Sequence, residues 1–125
     1  MNTKSKKYVD GFVIPIKKKN LAAYRKMVLW GAKTWKKYGA LDYFECVGDD
    51  LKVKKGMGQG FGKLARLKRG ETVVFSWIVY KSKAHRDAVN KKVMSDPSMN
   101  NFDPKTMPID MKRFVYGGFK PIVEA

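Results

Sequence analysis

The chain contains very few of the residues that build disulfides, metal centres or membrane spans. Its 125 residues include one cysteine, Cys46, and one histidine, His85. A single thiol excludes an internal disulfide framework and any zinc site that needs several thiolates of one chain. No apolar run reaches the roughly 18 to 20 residues that cross a bilayer. We therefore expect a cytoplasmic protein with no membrane partner, no bound metal and no cofactor.

Acidic residues are also scarce. There are 11 Asp and Glu against 27 Lys and Arg, which gives a formal net charge of +16. The hydrophobic share of 44% is nevertheless typical of a folded chain rather than a disordered one. A mass of 14.3 kDa predicts one domain. We expect a basic N-terminal tail over residues 1–7 and a single domain over residues 8–125.

The order of predicted elements indicates the fold class. Helical spacing of apolar residues predicts one helix from Asn20 to Gly39 and another from Ser82 to Met94. Four segments rich in β-branched and aromatic residues are predicted strands: Tyr8–Ile16, Leu41–Gly48, Glu71–Lys81 and Arg113–Val123. The order βαββαβ is typical of a ferredoxin-like α+β fold, an antiparallel sheet with both helices on one face.

Both faces of the predicted sheet are apolar, which has a consequence for assembly. In the first strand Phe12 and Ile14 point one way, while Val9 and Val13 point the other way. The third strand likewise carries Phe75, Trp77 and Val79 on one face and Ile78 and Tyr80 on the other. Two helices cover only one face of such a sheet. We therefore expect a homodimer formed through the open sheet face.

Several strings of the sequence match a known family in the same order. They are YVDGFV from Tyr8, ECVGDD from Glu45, VVFSWI from Val73, YKSKAHRDAVNKKVMSDP from Tyr80 and YGGFKPIV from Tyr116. From Tyr8 to the C-terminus the chain resembles the YbaA-like family of small bacterial proteins of unknown function. The resemblance implies a dimeric α/β barrel, a fold shared with cofactor-free monooxygenases, haem-binding relatives and small lactone isomerases. It implies no particular activity.

The chain departs from the pattern of that family in three places. Val47 stands where the family often has tryptophan, and His85 stands where an aliphatic residue is usual. The connection over residues 51–69 is much more basic than in a typical member. The last departure means that a partner of the family need not be a partner of this chain.

Five residues are candidates for a pocket between the sheet and the helices. Asp10 and Glu45 are carboxylates within strands, and burial there would raise their pKa and suit them to proton transfer. Trp77 and Tyr116 offer flat walls for a small aromatic ligand. His85 has an ordinary pKa near neutrality. Each also has a structural interpretation: the carboxylates pair with arginine or backbone donors, the aromatic residues fill the core, and His85 is either buried and neutral or at the edge of its helix.

A second set of residues is suited to a polyanion. Cations follow one side of the first helix and fill the Gly-rich connection after the second strand, where the glycine spacing fits no phosphate-binding motif. The candidates are Lys33, Lys36, Lys37, Lys54, Lys55, Lys63, Arg66, Lys68 and Arg69. The alternative is that these side chains are simply solvated.

Two functions of different classes follow from these patterns. One is a small-molecule-binding protein or cofactor-independent enzyme with a pocket in each protomer. The alternative is a basic nucleic-acid-binding protein that acts mainly through phosphate contacts, although no known RNA-reading or DNA-reading motif is present. The sequence leaves open whether the chain is an enzyme.

Overall fold

The computed structural model describes residues 5–125. Four strands form one antiparallel sheet, in the order β2-β3-β1-β4: β1 (Tyr8–Lys17), β2 (Asp42–Val47), β3 (Glu71–Tyr80) and β4 (Val115–Phe119). The helices are α1 (Leu21–Lys37), α2 (Phe61–Leu64) and α3 (Lys83–Met94), with 3-10 turns at Lys18–Asn20, Pro97–Asn101 and Pro104–Thr106. The α+β class is therefore confirmed, with an open antiparallel sheet and helices.

The ends of the helices differ in part from the predicted ends. A 3-10 turn precedes α1, and Asn20 makes no side-chain capping hydrogen bond. Gly39 follows the helix with φ +110°, a left-handed conformation that glycine adopts without strain. The cap of α3 is as predicted, because the Ser82 hydroxyl accepts from the His85 backbone N–H. The predicted loop after β2 contains the short helix α2.

Strand β1 lies inside the sheet and still contains Pro15. It pairs with β3 along its whole length, but its pairing with β4 ends at Val13 opposite Val115. The missing N–H of Pro15 therefore lies beyond the last residue pair of the β4 ladder, where a proline is tolerated. Strand β4 is shorter than the predicted Arg113–Val123.

Both long helices pack on the same face of the sheet, which we call the helix face. Its core side chains are Ile14, Ile16, Val74, Ile78 and Tyr80 from the strands, with Tyr24 from α1 and Val89 and Val93 from α3. All of them are buried. This packing accounts for one of the two apolar faces that the sequence predicts.

The other side, which we call the open face, has no long helix over it in residues 5–125. Strand registry places these side chains there: Val9, Val13, Phe44, Phe75, Trp77, Val79, Val115 and Phe119. Phe44 is 49% exposed and Phe119 is 61% exposed. Toward one end α2 packs against β3, with Phe61 5.6 Å from Phe75 between ring centroids. The sheet is thus apolar on both faces, as predicted.

The predicted basic tail is only partly described, because residues 1–4 lie outside the described part of the chain. In the described part, the Lys7 ammonium donates to Glu124 Oε2 at 2.6 Å, and the Ser5 hydroxyl donates to Glu124 Oε1 at 2.5 Å. The two ends of the described chain therefore lie side by side. Within residues 5–125, no helix has both the length and the hydropathy to cross a membrane.

Candidate functional site

A buried carboxylate on the helix face is the centre of the site. Asp10 is the third residue of β1, and the alternation of a strand places it on the same side as Tyr8 and Phe12. It is 6% exposed. Arg86 from the first turns of α3 donates from a terminal nitrogen to Asp10 Oδ1 at 2.7 Å. The helix thus delivers the countercharge that a buried carboxylate requires.

Further polar groups surround this ion pair. The Trp35 indole N–H and the Tyr80 hydroxyl both donate to Asn90 Oδ1, at 3.0 and 3.2 Å. Burial raises the pKa of Asp10, and the charge and hydrogen bond of Arg86 oppose that rise. The Arg86 guanidinium also lies 4.8 Å from the centre of the Tyr8 ring, within cation–π range.

Beside the ion pair lies an aromatic surface that we call the aromatic shelf, made of Phe12, Phe114 and Tyr116. The rings of Phe12 and Tyr116 are nearly parallel, with centroids 6.1 Å apart. Phe114 lies 5.9 Å from Phe12 and 5.5 Å from Tyr116. Tyr116 is 69% exposed, so this is an open shelf rather than the enclosed pocket that we expected.

Gly118 of strand β4 lies next to the aromatic shelf. Asp10 lies opposite Gly118 in the β1–β4 ladder. A Cβ atom on Gly118 would clash with the Tyr8 ring, so the absence of a side chain there lets the ring lie across β4. The Tyr8 ring therefore lies over the backbone of β4 at Gly118.

Glu45 lies in a separate cluster. Its Oε1 accepts from the Tyr24 hydroxyl at 2.6 Å, and its Oε2 accepts from the Tyr43 hydroxyl at 2.8 Å. Burial and the nearby carboxylate raise the pKa of both tyrosines. Glu45 pairs with Ser76, which in turn pairs with Phe12 on β1. Glu45 is therefore two strand spacings, about 10 Å, away from β1.

The remaining two predicted pocket residues lie elsewhere. Trp77 is on the open face, opposite Gly11, where it stacks on Phe44 with ring centroids 4.9 Å apart. Strand registry therefore excludes Trp77 from a site with Asp10 and Tyr116. The sequence indicated that Trp77 was in a strand but did not show its register.

His85 occupies the first turn of α3. Its Nδ1 accepts from the Lys81 backbone N–H at 2.9 Å, and its Nε2 lies on the side of Gly39. Burial, and then the charges of Lys81 and Lys92, lower the pKa of His85. These contacts place it beside the C-terminal end of α1 rather than at the aromatic shelf.

Arg86, Asn90 and Tyr24 take part in these clusters although they were not among the predicted site residues. Arg86 and Asn90 are four residues apart, which puts them on one side of a helix. That spacing was the available signal for the Asp10 cluster. Nothing in the sequence indicated which strand residue they would meet.

The cationic candidates fall into two groups. All nine are exposed. Near the end of α1, the Lys36 ammonium donates to the Leu41 carbonyl at 2.6 Å, and Lys37 pairs with Asp96 at 3.2 Å. The other group, residues 54–69, lies beside a cleft of about 490 Å³. We call this the lysine cleft, after Lys18, Lys52 and Lys63 in its lining.

Side chains that could bind a metal ion do not cluster in the described part of the chain. Residues 5–125 contain no cluster of three or more His, Cys, Asp or Glu side chains able to hold a metal ion. Cys46 is a free, exposed thiol on the open face.

Comparison with known proteins places the chain in a family. The model of the family described as "Protein of unknown function (DUF1428)" matches residues 7–111. The chain belongs to the DUF1428 family. It is 45% identical over 118 residues to "Uncharacterized protein YbaA" of Escherichia coli strain K12 and, equally, to that of Shigella flexneri. The alignment covers 94% of this chain and 98% of YbaA in each case.

A solved structure supports the fold of this DUF1428 member. An uncharacterized NIPSNAP domain protein from Burkholderia xenovorans superposes with a TM-score of 0.53 at 16% identity, covering 91% of this chain and 93% of that one. At that identity the likeness concerns the fold alone. The DUF1428 match includes Asp10 and Arg86, while Tyr116 lies beyond its last matched residue.

Proposed function

We propose that this protein is a homodimeric small-molecule-binding protein that needs no cofactor and holds a planar aromatic ligand on the aromatic shelf of each protomer. The observation that carries the proposal is the juxtaposition of a buried carboxylate–guanidinium pair, Asp10 and Arg86, with an exposed aromatic surface. Aromatic side chains with a few convergent polar groups are the usual lining of a small-molecule site.

The chemistry of the shelf defines the ligand class. Tyr116 and Phe12 provide a flat surface for ring stacking. The side chain of Arg86 is 20% exposed, whereas that of Asp10 is 8% exposed, so Arg86 is the more accessible partner. Its guanidinium suits a phenol, phenolate or quinone oxygen. Asp10, with its raised pKa, is the proton acceptor if the ligand reacts.

The dimer is the second part of the proposal. The apolar open face, with Phe75 43% and Val115 59% exposed, is larger than a scatter of single apolar residues. A second copy packed sheet against sheet covers it with like surface, which gives the ferredoxin-like dimeric α/β barrel. The strand order and the placement of both long helices on one face support that arrangement. The exposed thiol of Cys46 fits the reducing cytoplasm.

Substitutions at two residues of β4 test ligand binding and dimer formation independently. Tyr116 is on the helix face, while Phe119 is on the open face, and their exposures are similar at 69% and 61%. We expect Tyr116→Ala to weaken binding of phenols and quinones about tenfold, the loss of one stacking partner, and to leave a dimer. We expect Phe119→Glu to shift the sedimentation coefficient toward a monomer.

The measurements are calorimetric titration with a panel of phenols and quinones, and sedimentation velocity over a range of protein concentration. If no compound binds the wild-type protein, or if Tyr116→Ala and Phe119→Glu weaken binding equally, the ligand proposal fails. If the wild-type protein sediments as a monomer at micromolar concentration, the dimer proposal fails.

A further inference from the structure

The lysine cleft is the second feature of the molecule that indicates a ligand, and the fold assembles it from segments far apart in the sequence. The Lys18 backbone N–H donates to the Gly70 carbonyl at 2.9 Å, which joins the end of β1 to the end of the connection between β2 and β3. Lys18 therefore lines the same cleft as Lys52 and Lys63. The wall between them includes Gly48, Gly60 and Gly62.

The balance of charge in this cleft is positive. Its acidic residues are Asp49 and Glu71. Glu71 is already neutralised, because Arg113 donates to both of its carboxylate oxygens, and the pKa of Glu71 is lowered to about 2. No acidic side chain of residues 5–125 lies within ion-pair distance of Lys18, Lys52 or Lys63.

More cations surround the cleft. The neighbouring exposed residues of the β1 end and of the connection are Lys17, Lys19, Lys54, Lys55, Arg66, Lys68 and Arg69. They too form no ion pair within the described chain. Such a concentration of like charge raises the local positive potential, which attracts an anionic partner and is relieved when one binds.

We propose that the lysine cleft and its surrounding cations bind the phosphodiester backbone of nucleic acid, independently of base sequence. Lysine is a point-charge ligand of phosphate, and eight lysines and two arginines in the two segments that form the cleft match an extended polyanion better than a single small anion. Phe61, one of four exposed apolar residues of the same segment with Val53, Met57 and Leu64, packs on Phe75 of the open face. We therefore assign that residue to the dimer rather than to a lipid surface.

The predicted cations fall into two groups with different roles. Helix α1 has 17 residues, so its last residue lies about 25 Å from its first, which follows Lys18 of the cleft by three positions. Lys36 and Lys37, at that far end, already have protein partners. We assign phosphate binding to the cations of the connection and not to Lys33, Lys36 and Lys37.

The test compares two triple charge reversals by fluorescence anisotropy with a labelled 20-base-pair duplex at several salt concentrations. Lys18→Glu, Lys52→Glu and Lys63→Glu together alter the cleft. Lys33→Glu, Lys83→Glu and Lys91→Glu together make the same change in net charge at exposed helix positions. We expect the cleft variant to bind at least about tenfold more weakly and to lose about three units of salt slope. The control variant should lose less than one unit.

Equal losses in the two variants would show that only net charge matters and would overturn the assignment. Absence of duplex binding by the wild-type protein at about 50 mM salt would do the same, as would binding to phosphatidylserine vesicles without binding to duplex. Thermal melting checks that each variant folds, and a Lys18→Gln, Lys52→Gln, Lys63→Gln variant replaces the reversal if it does not. Tyr116→Ala should bind the duplex normally, so the result is independent of the shelf.

Discussion

Gly31 and Tyr43 offer a quantitative test of how α1 meets the sheet. Gly31 is buried within α1, and a Cβ atom built there would lie 2.5 Å from the Tyr43 hydroxyl oxygen and 3.4 Å from its Cζ atom. The oxygen is therefore the only atom of Tyr43 that an alanine would strike. The same hydroxyl donates to Glu45 at 2.8 Å, so it cannot move away without loss of that bond.

The magnitudes follow from two opposing effects. Gly→Ala in a helix interior stabilises by about 1 kcal/mol through helix propensity. Overpacking of a tightly packed site costs about 1 to 3 kcal/mol. We expect Gly31→Ala alone to lower the free energy of unfolding by up to about 2 kcal/mol.

Removal of the hydroxyl should reverse the sign. In a Tyr43→Phe background the nearest remaining ring atom is at an ordinary contact distance, so Gly31→Ala should stabilise by about 1 kcal/mol. Tyr43→Phe itself should cost about 1.5 to 3 kcal/mol, the value of a hydrogen bond to a charged group. The coupling energy between the two substitutions is then about 1 to 3 kcal/mol.

The assay is urea unfolding of the four proteins of this double-mutant cycle, at one fixed protein concentration because the stability of the proposed dimer would depend on concentration. Ala32→Gly, at the next position of α1, measures the propensity effect on its own. If the two substitutions add to within about 0.5 kcal/mol, the close approach of α1 to Tyr43 is refuted.

Two further predictions concern pH. Glu71 has a folded pKa of about 2 against an ordinary 4.5, so its contribution to stability is present above pH 4.5 and is lost as the pH falls toward 2. Urea unfolding of Glu71→Gln should show a shallower loss over that window, and identical slopes would contradict it. The folded pKa of His85 is lowered from 6.5, so the folded state favours the neutral ring and stability should decrease as the pH falls through and below 6.5. His85→Gln should lack this part of the pH dependence, and an unchanged profile would show that other groups cause it.

The strands and helices were largely predictable because their signals are local. The Ser82 cap, the stop at Gly39 and the β-branched content of Glu71–Tyr80 depend on residues within a few positions of one another. The two apolar faces followed from the two-residue period of a strand. The ends of the strands were predicted less accurately, since the extent of β4 is set by its pairing with residues 9–13 of β1, a contact between distant parts of the chain.

The candidate site depended on information that no short window of the sequence contains. Asp10 and Tyr116 were identified as residue types suited to a site, and the structure places them on one face. Trp77 was assigned to the same site and lies on the opposite face. Strand registry decides such placements, and a shift of one residue moves every side chain of a strand to the other side.

The amino-acid sequence alone therefore determined the fold class, the apolar character of both sheet faces and the excess of positive charge, because these depend on composition and on local periodicity. Only the tertiary structure decided that Arg86 pairs with Asp10 and that two tyrosine hydroxyls donate hydrogen bonds to Glu45. It also decided that Lys18 lines the same cleft as Lys52 and Lys63. Those contacts join residues up to 76 positions apart. They depend on how the strands pair and how the helices pack against the sheet. A local sequence pattern does not specify either.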